Sequence, residues 1–246
     1  MEFPAYHNPK KLNGTQLDTF LSQGWYRMHQ SIFTTKYIIL NESIYNVFWL
    51  RYNLLKFNIN KKLQKLIVQN SHFNISIKPI VITEELESLY KLYRSGIKFD
   101  HSESVKYWLY GAEPEKANAF ETHIIELRDG DKLIAAGIFD NGENSIAGIM
   151  NFYDPAYKKF SLGKYLILLK IKHAVEKGKH WYYPGYIVCG YPSFDYKLFV
   201  GEENTEIYIP AINNWYKYKK ELMDTVDVNR QQHNEIENNN NTTSIE

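Results

Sequence analysis

A short segment in the second half of the chain has residue types that can bind an anion. Ser161 and Gly163 open a predicted helix that runs to Gly178. The first backbone N–H groups of a helix have no partner within the helix, so they attract phosphate or carboxylate groups. Serine can cap such a helix, and glycine lets a ligand approach its first turn. The same two residues would also start a helix without any ligand, and spacing alone does not decide between the two interpretations.

Other kinds of chemistry are not indicated. Cys189 is the single cysteine, which excludes a disulfide within the chain and a cysteine-based zinc site. The sequence has no Ser-His-Asp or Cys-His signature of a covalent nucleophile. Its histidines do not have the spacing of metal ligands, so the sequence predicts no metal site.

Composition limits the class of protein. The chain has 246 residues, of which 44% are hydrophobic and 15% aromatic, enough to bury the core of one large domain or two small ones. No apolar run is long enough to span a bilayer, so no contact with a membrane is expected. The first residues lack a basic segment followed by an apolar stretch, and we therefore expect a cytoplasmic protein.

Positive charge is concentrated near the N-terminus. Residues 1–80 contain ten Lys and Arg against three Asp and Glu, whereas residues 81–246 contain 19 against 25. A basic region of this kind can face the phosphates of a nucleic acid. It can equally be a set of solvated faces, so the excess permits contact with nucleic acid without requiring it.

The order of predicted elements shows how the helix start is positioned. Three strand-like segments between residues 122 and 153 are separated by Asp129-Gly130 and Asn141-Gly142, both typical of tight turns. The helix follows this antiparallel meander, and the strand after it contains Pro184, which indicates an edge position, a bulge or a splayed pair. This order is found in the core of GNAT-type acyltransferases, in which the helix start and two splayed strands hold the acyl donor.

The fold class expected from this order is α+β. It comprises a GNAT-like core, with an antiparallel sheet flanked by helices, and an N-terminal α/β subdomain. We expect a basic subdomain at residues 1–80, which ends after a helix from Asn60 and a strand. A transferase domain at 81–222 begins with a helix capped by Thr83. Residues 223–246 are polar and Asn-rich, which predicts a disordered tail.

Several short motifs carry a more specific resemblance. They are Tyr153-Asp154-Pro155, Ser161-Leu162-Gly163-Lys164-Tyr165, Gly185-Tyr186, the segment from Tyr191 to Lys197, Gly24-Trp25 with Arg27, and Arg51. In order and spacing they resemble the aminoacyl-tRNA–protein transferases, the family of arginyltransferases and bacterial leucyltransferases. The chain departs from the family at a cysteine cluster, which it lacks, and in the Cys-Pro-Lys motif, in which Tyr191 and Ser193 replace the cysteine and the lysine.

The resemblance implies transfer of an amino acid from aminoacyl-tRNA to the N-terminal amine of a protein with an acidic N-terminus. Aminoacyl-tRNA is then a co-substrate, and no cofactor is expected. Arginine is favoured narrowly over leucine as the donor, because Asp154 or Asp195 can supply a carboxylate for a guanidinium. Two alternatives remain open, namely an acyl-CoA-dependent N-acyltransferase and a non-catalytic module that binds tRNA or N-termini.

The resemblance also implies roles for particular residues. In the cleft between the splayed strands, Tyr186 or Tyr196 donates to the ester oxygen and Lys197 holds a phosphate or an acidic side chain. Asp154 either orients the amine or caps a turn before Pro155. The residues expected to bind substrate are Trp25, Arg27, Arg51, Ser161, Gly163 and Tyr165, the last three at the donor end. Arg27 pairs either with an acidic N-terminal residue or in a surface salt bridge.

Overall fold

The computed structural model describes residues 4–40, 42–96, 102–112 and 117–223. The tail predicted to be disordered lies outside the described residues from 224 onward. In chain order the helices and strands are β1 (Ala5–His7), α1 (Gly14–Ser22), β2 (Tyr26–Met28), β3 (Ser31–Thr34), β4 (Tyr37–Leu40), β5 (Ser43–Asn53), α2 (Lys61–Asn70), β6 (Asn74–Pro79), α3 (Glu84–Ser95), α4 (Val105–Tyr110), β7 (Thr122–Asp129), β8 (Lys132–Asn141), β9 (Ser145–Tyr153), α5 (Leu162–Glu176), β10 (Trp181–Val188), β11 (Thr205–Ile209) and β12 (Asn214–Lys217).

One large sheet dominates the fold. Its strands follow the order β12-β11-β5-β10-β9-β8-β7-β6, and β4 pairs with the free part of β5. Strands β7, β8 and β9 form the predicted antiparallel meander, with the first turn made by Gly130 at a φ of 57°. A second, small sheet has the order β1-β3-β2. The structure therefore confirms the α+β class with a mostly antiparallel sheet flanked by helices.

The N-terminal part of the chain completes the large sheet. Strand β5 lies between β10 and β11 and pairs with both in antiparallel fashion. Its buried residues Val47, Phe48, Trp49 and Leu50 are each at most 2% exposed, so this strand runs through the core. Residues on both sides of position 80 thus contribute to one sheet, and the boundary expected there remains a prediction.

Helices cover both faces of the sheet because successive strand residues point to opposite sides. Ile124 packs in a cluster with α3 and α4, whereas its neighbour Ile125 packs with α5 and Leu63 of α2. Both isoleucines are fully buried. The meander therefore has no solvated face, and its strands hold α5 firmly above β8 and β9.

Most helix starts agree with the sequence. Asn60 and Thr83 cap α2 and α3, each accepting a hydrogen bond from a backbone N–H three residues later. Ser161 is different, since its side chain makes no capping hydrogen bond and its backbone is left-handed, with φ of 53° and ψ of 43°. The prediction that the Ser161 side chain caps α5 was wrong, because the chain enters α5 directly from a 3-10 helix at Pro155–Phe160.

Strands β9 and β10 separate, as one of the predicted alternatives requires. They pair in parallel only from Trp181 to Tyr183, and the pairing then stops at Pro184, which has no N–H to donate. On its other side β10 pairs with β5 along its length, with an irregularity between Tyr182 and Gly185. Because β10 is flanked by two strands, it is not an edge strand, and Pro184 lies at the splay and bulge instead.

No helix among the described residues is long and apolar enough to cross a membrane.

Candidate active site

A cavity lies where β9 and β10 separate. It has a volume of about 610 Å³ and is bounded by β2, α4, α5 and the 3-10 segment Pro192–Val200. We call it the main cavity. Its lining is rich in aromatic residues, and Arg27 is among the polar residues that line it. Residues that line it include Tyr26, His29, Trp108, Asn151, Tyr182, Tyr186, Phe194, Tyr196 and Lys197.

Tyr26 bridges the two strands at the point where they part. Its hydroxyl lies within hydrogen-bonding distance of the carbonyl oxygens of Gly148 in β9 and Tyr183 in β10, the latter at 3.1 Å. Burial raises the pKa of the Tyr26 phenol well above its usual value, so the hydroxyl keeps its proton and acts as a donor. The hairpin formed by β2 and β3, which we call the N-terminal hairpin, thereby closes one end of the main cavity.

Lys197 is a buried cation without a counter-charge. It is 8% exposed, and among the described residues its Nζ has no hydrogen bond and no carboxylate within 4 Å. The ammonium lies over the rings of Tyr196, Phe194 and Tyr186, at 4.7, 4.9 and 5.9 Å from their centroids. Burial lowers the pKa of Lys197 to about 8, with Asp195 opposing the shift. The main cavity therefore offers one positive charge in an aromatic cage.

Tyr186 and Tyr196 stand on either side of this lysine. Tyr186 stacks on Phe194 at 5.5 Å and meets Trp49 edge to face at 5.2 Å, which holds its ring in place. Tyr196 is 48% exposed and lies at the mouth of the cavity. The surrounding protein raises the pKa of both phenols, so each can donate a proton in a hydrogen bond and neither is a base at neutral pH.

A second cavity of about 350 Å³ lies at the start of α5 and adjoins the first. Ser161, Gly163 and Lys164 line it together with Lys158. Asn151 and Tyr196 line both cavities, so the two spaces meet at these side chains. The helix start expected to bind an anion is thus open and flanked by lysines. We call this space the helix-start cavity.

Arg27 does not have a free guanidinium. It is 3% exposed, and its Nη1 donates to Asp140 Oδ1 and to Thr122 Oγ1, both at 2.8 Å. Its Nε donates to the carbonyl of His29 at 2.6 Å, and its Nη2 to the carbonyl of Leu109 at 3.1 Å. The expected pairing of Arg27 with an acidic substrate residue does not fit this geometry. Arg27 instead ties the N-terminal hairpin to β8 and α4.

Asp154 caps a turn, the second of the two roles considered for it. Its side chain accepts from the backbone N–H of Ala156 at 2.9 Å and from Lys132 Nζ at 2.6 Å. Burial alone would raise the pKa of Asp154, and these two donors lower it. Asp154 and Asp195 line neither cavity, so they are not placed to bind a guanidinium there.

Three further predicted residues lie away from the two cavities. Tyr165 is 2% exposed and belongs to the core under α5. Trp25 packs edge to face on Phe20 at 5.7 Å. Arg51 forms an ion pair with Glu206 at 2.7 Å and stacks over the Trp181 ring at 3.7 Å. None of these three lines the main cavity or the helix-start cavity, so their expected contact with substrate remains a prediction without support from this geometry.

The sequence did not identify some other residues that line the site. Tyr26 and Tyr182 look like ordinary core tyrosines, and Asn151 looks like an outward-facing strand residue. One signal was available in Lys170, which follows Leu166 by four residues on the apolar stripe of α5. A lysine at such a position must be buried, and a buried lysine needs polar partners nearby.

Two glycines give a matched test of this geometry. A Cβ added at Gly148 would lie 2.1 Å from the Tyr182 hydroxyl, whereas one added at Gly163 meets only Tyr153 Cε1 at 3.6 Å. We expect Gly148→Ala to lower the free energy of unfolding by roughly 1–3 kcal/mol. Gly163→Ala should leave it unchanged or raise it by about 0.5–1 kcal/mol, because alanine favours the helix. Denaturant unfolding measures both, and equal stability of the two variants would contradict the close approach at the splay.

The meander, the helix that follows it and the separated strands have the arrangement that the sequence predicted for the core. Residues 85–203 match the family described as arginine-tRNA-protein transferase, C terminus. The chain is therefore similar to aminoacyl-tRNA–protein transferases over a little less than half of its length in the family match, and over more of it in a curated relative. No group of His, Cys, Asp or Glu able to hold a metal ion is present within the described ranges.

Curated relatives are similar over different parts of the chain. An aspartate/glutamate leucyltransferase of Hyphomonas neptunium is 29% identical over 80% of this chain and 78% of its own length. One from Leptospira interrogans is 25% identical over 61% of this chain, and the chain spans 59% of that relative's length. A solved GCN5-related glucosamine N-acetyltransferase region of a fungal protein aligns at 14% identity and a TM-score of 0.41, covering 78% of this chain and 21% of that one.

Proposed function

We propose that this protein transfers leucine from leucyl-tRNA to the N-terminal amine of proteins that begin with an acidic residue. The observation that carries the proposal is Lys197, an unpaired ammonium in an aromatic cavity at the splay of β9 and β10. A carboxylate that entered this cavity would satisfy the lysine, and the tRNA end of the donor can lie in the second cavity beside it while the aminoacyl group reaches into the main cavity. Similarity to the aminoacyl-tRNA–protein transferases supports the reaction class.

The charge of the cavities supports leucine as the donor. Among the described residues that line either cavity there is no Asp or Glu. An arginyl side chain would therefore lack a carboxylate partner and would lie in a space that already contains Lys197. A leucyl side chain needs only apolar walls, which Ile149, Met150 and Ile167 supply. The names of the curated relatives, aspartate/glutamate leucyltransferase, agree with this choice.

The same lysine supports an acidic acceptor. A buried ammonium with a pKa near 8 is mostly protonated at neutral pH, and a carboxylate brought beside it forms a charge-assisted hydrogen bond. The side chain of an N-terminal aspartate or glutamate carries such a group. Its amine then lies within a residue's length of Lys197 and can face the junction of the two cavities.

The reaction needs positioning more than a strong base. An α-amine has a free pKa of about 8, so roughly a tenth of it is neutral at pH 7 and ready to attack. Attack forms a C–N bond at the ester carbonyl, and collapse breaks the ester C–O bond. The nitrogen loses a proton and the ribose oxygen of the tRNA gains one. Tyr186 and Tyr196 keep their protons and can donate hydrogen bonds to an oxygen during this step.

A lysine-rich surface leads to the helix-start cavity and suits the acceptor stem of a tRNA. Helix α2 packs on the 3-10 segment before α5, where Gln69 Nε2 donates to the carbonyl of Lys159 at 3.1 Å. The exposed lysines of α2 therefore lie on the same side of the molecule as Lys158 and Lys164. This surface comprises Lys61, Lys62, Lys65, Lys158, Lys159 and Lys164.

Removing two of these lysines should weaken the binding of leucyl-tRNA. It should also make that binding less sensitive to salt. Each lysine that contacts a phosphate contributes about one unit to the slope of log affinity against log salt. We expect Lys158→Ala with Lys164→Ala to reduce the magnitude of the slope by about 1–2 units. The control is Lys177→Ala, an exposed lysine just beyond the far end of α5. A slope that is the same for wild type and the double variant would contradict this surface.

Product masses test the proposed function. Leucyl-tRNA and arginyl-tRNA are each incubated with peptides that begin with Asp, Glu, Lys or Ala. We expect a mass gain of one leucyl residue on the Asp and Glu peptides only. A gain of one arginyl residue on the same peptides would reverse the choice of donor. No gain with any pair would refute transfer, and acetyl-CoA in a parallel reaction identifies an acyl-CoA enzyme.

A further inference from the structure

Asn151 lies where the two cavities meet. It is a residue of β9, next to the splay, and its side chain lines both the main cavity and the helix-start cavity. In the proposed reaction the aminoacyl ester enters from the helix start and the acceptor amine lies near Lys197. The ester carbonyl therefore has to lie near this junction when the amine attacks it.

Lys170 fixes the orientation of the Asn151 amide. Its Nζ lies 2.7 Å from the carbonyl oxygen of Ile138, 3.2 Å from that of Met150 and 2.9 Å from Asn151 Oδ1. An ammonium has three hydrogens and accepts none, so each hydrogen is assigned to one oxygen. The amide oxygen of Asn151 must then face the lysine, and the NH₂ group must point away from it.

The surroundings are shaped to hold this lysine. Ile138 and Met150 pair across β8 and β9 beside an irregularity at Ile149, where the two carbonyls need a donor. A Cβ on Gly137 would lie 3.0 Å from Lys170 Cε and 3.1 Å from Asn151 Oδ1, so glycine leaves the space. Burial lowers the pKa of Lys170 and Asp140 raises it, but a protonated amine alone supplies one hydrogen for each oxygen.

The NH₂ group of Asn151 donates no hydrogen bond to the part of the fold that the structure describes. Among the described residues no acceptor lies within hydrogen-bonding distance of its Nδ2, while its Oδ1 is held. We propose that Asn151 is a catalytic residue whose Nδ2 donates to the carbonyl oxygen of the ester as that oxygen becomes negative. Lys170 is the positioning residue that keeps the donor aimed at the junction. This inference rests on the proposed transfer reaction.

Such a donor acts mainly in the transition state. Attack of the amine moves negative charge onto the carbonyl oxygen, and a preorganised N–H stabilises that charge more than it stabilises the neutral carbonyl. Its loss should therefore reduce kcat, whereas binding of tRNA and peptide should change little.

The test replaces the donor without disturbing its support. Asn151→Asp keeps an oxygen for Lys170 and removes both hydrogens of Nδ2. We expect kcat for leucyl transfer to fall roughly 10²–10³-fold, with KM for peptide and tRNA and the melting temperature close to wild type. Asn74→Asp makes the same chemical change at an exposed position of β6 and should leave kcat unaltered.

A double variant tests the positioning role. Lys170→Met should lower kcat on its own, because the Asn151 amide is then free to rotate, but it should lower kcat little further in the Asn151→Asp background. Additive losses would mean that Lys170 acts independently of Asn151 and would overturn the positioning role.

The outcomes distinguish a failure of the role proposed for Asn151 from a failure of the proposed leucyl transfer. Active wild type with unchanged kcat in Asn151→Asp overturns the inference alone. Equal losses of kcat and melting temperature would make Asn151 a structural residue and would also overturn it. A wild-type protein that transfers no amino acid removes the proposed function, and this inference with it.

Discussion

Lys197→Met should make the protein more stable and nearly inactive on acidic acceptors. In the wild type the folded protein holds an ammonium in a buried site, which lowers the pKa of Lys197 from 10.5 to about 8. Methionine has similar length and no charge to desolvate. At pH 7 we expect a gain on the order of 2–3 kcal/mol in the free energy of unfolding. Transfer to Asp and Glu peptides should fall roughly 100-fold in kcat/KM, because the carboxylate loses its partner.

The extra stability of Lys197→Met over the wild type should become smaller as pH rises. Between a pH of about 8 and 10.5 the unfolded chain keeps the lysine proton and the folded protein releases it. The wild type therefore becomes more stable as pH rises through this range, and the advantage of methionine shrinks. Chemical denaturation at a series of pH values measures this. Lys177→Met, at an exposed position, is the control and should show neither effect. A variant that is less stable than the wild type at pH 7 would contradict the buried charge.

Arg27→Met should destabilise the fold severely. The change leaves the Asp140 carboxylate fully buried without its ion-pair partner, and one of its oxygens, Oδ2, already has no hydrogen-bond partner among the described residues. Loss of one partner of a buried ion pair costs about 3–5 kcal/mol. Arg51→Met is the matched control, since the Arg51 and Glu206 side chains are 15% and 20% exposed. Its cost should be about 1–2 kcal/mol.

The outcome also decides the role of Arg27. A large loss of stability in Arg27→Met supports a residue that holds the hairpin to the sheet. Full stability, with a raised KM for acidic peptides, would restore the expected contact with substrate. Thermal and denaturant unfolding of both arginine variants, followed by peptide KM for those that fold, separates the two roles.

The sequence was sufficient for the parts of the fold that depend on local signals. The turn dipeptides, the caps at Asn60 and Thr83 and the periodicity of α5 each report on a few neighbouring residues. Pro184 indicated the splay as one of three alternatives, because a residue without an N–H interrupts a ladder. These features gave the meander, the helix and the separated strand, and hence the fold class.

Features that depend on distant contacts were not predictable in the same way. The insertion of β5 between β10 and β11 joins segments about 130 residues apart or more. The residues of β5 and their sequence neighbours do not indicate which strands it pairs with. Arg27 illustrates the same limit at the site. Its motif left open a contact with substrate or a surface salt bridge, whereas the guanidinium pairs in the core with Asp140, 113 residues away. Lys197 was found because a resemblance pointed to it, but its missing counter-charge required the structure.

The measurement that tests the central claim most directly compares peptides that begin with Asp and with Asn. These two acceptors differ by one charge and have nearly the same shape, so the ratio of their kcat/KM values reports the contribution of a carboxylate partner. With leucyl-tRNA as the donor, we predict that wild type strongly prefers the Asp peptide and that Lys197→Met transfers leucine to both at similar, low rates. A preference for Asp that survives in Lys197→Met would contradict the account, because the acidic residue would then be recognised elsewhere.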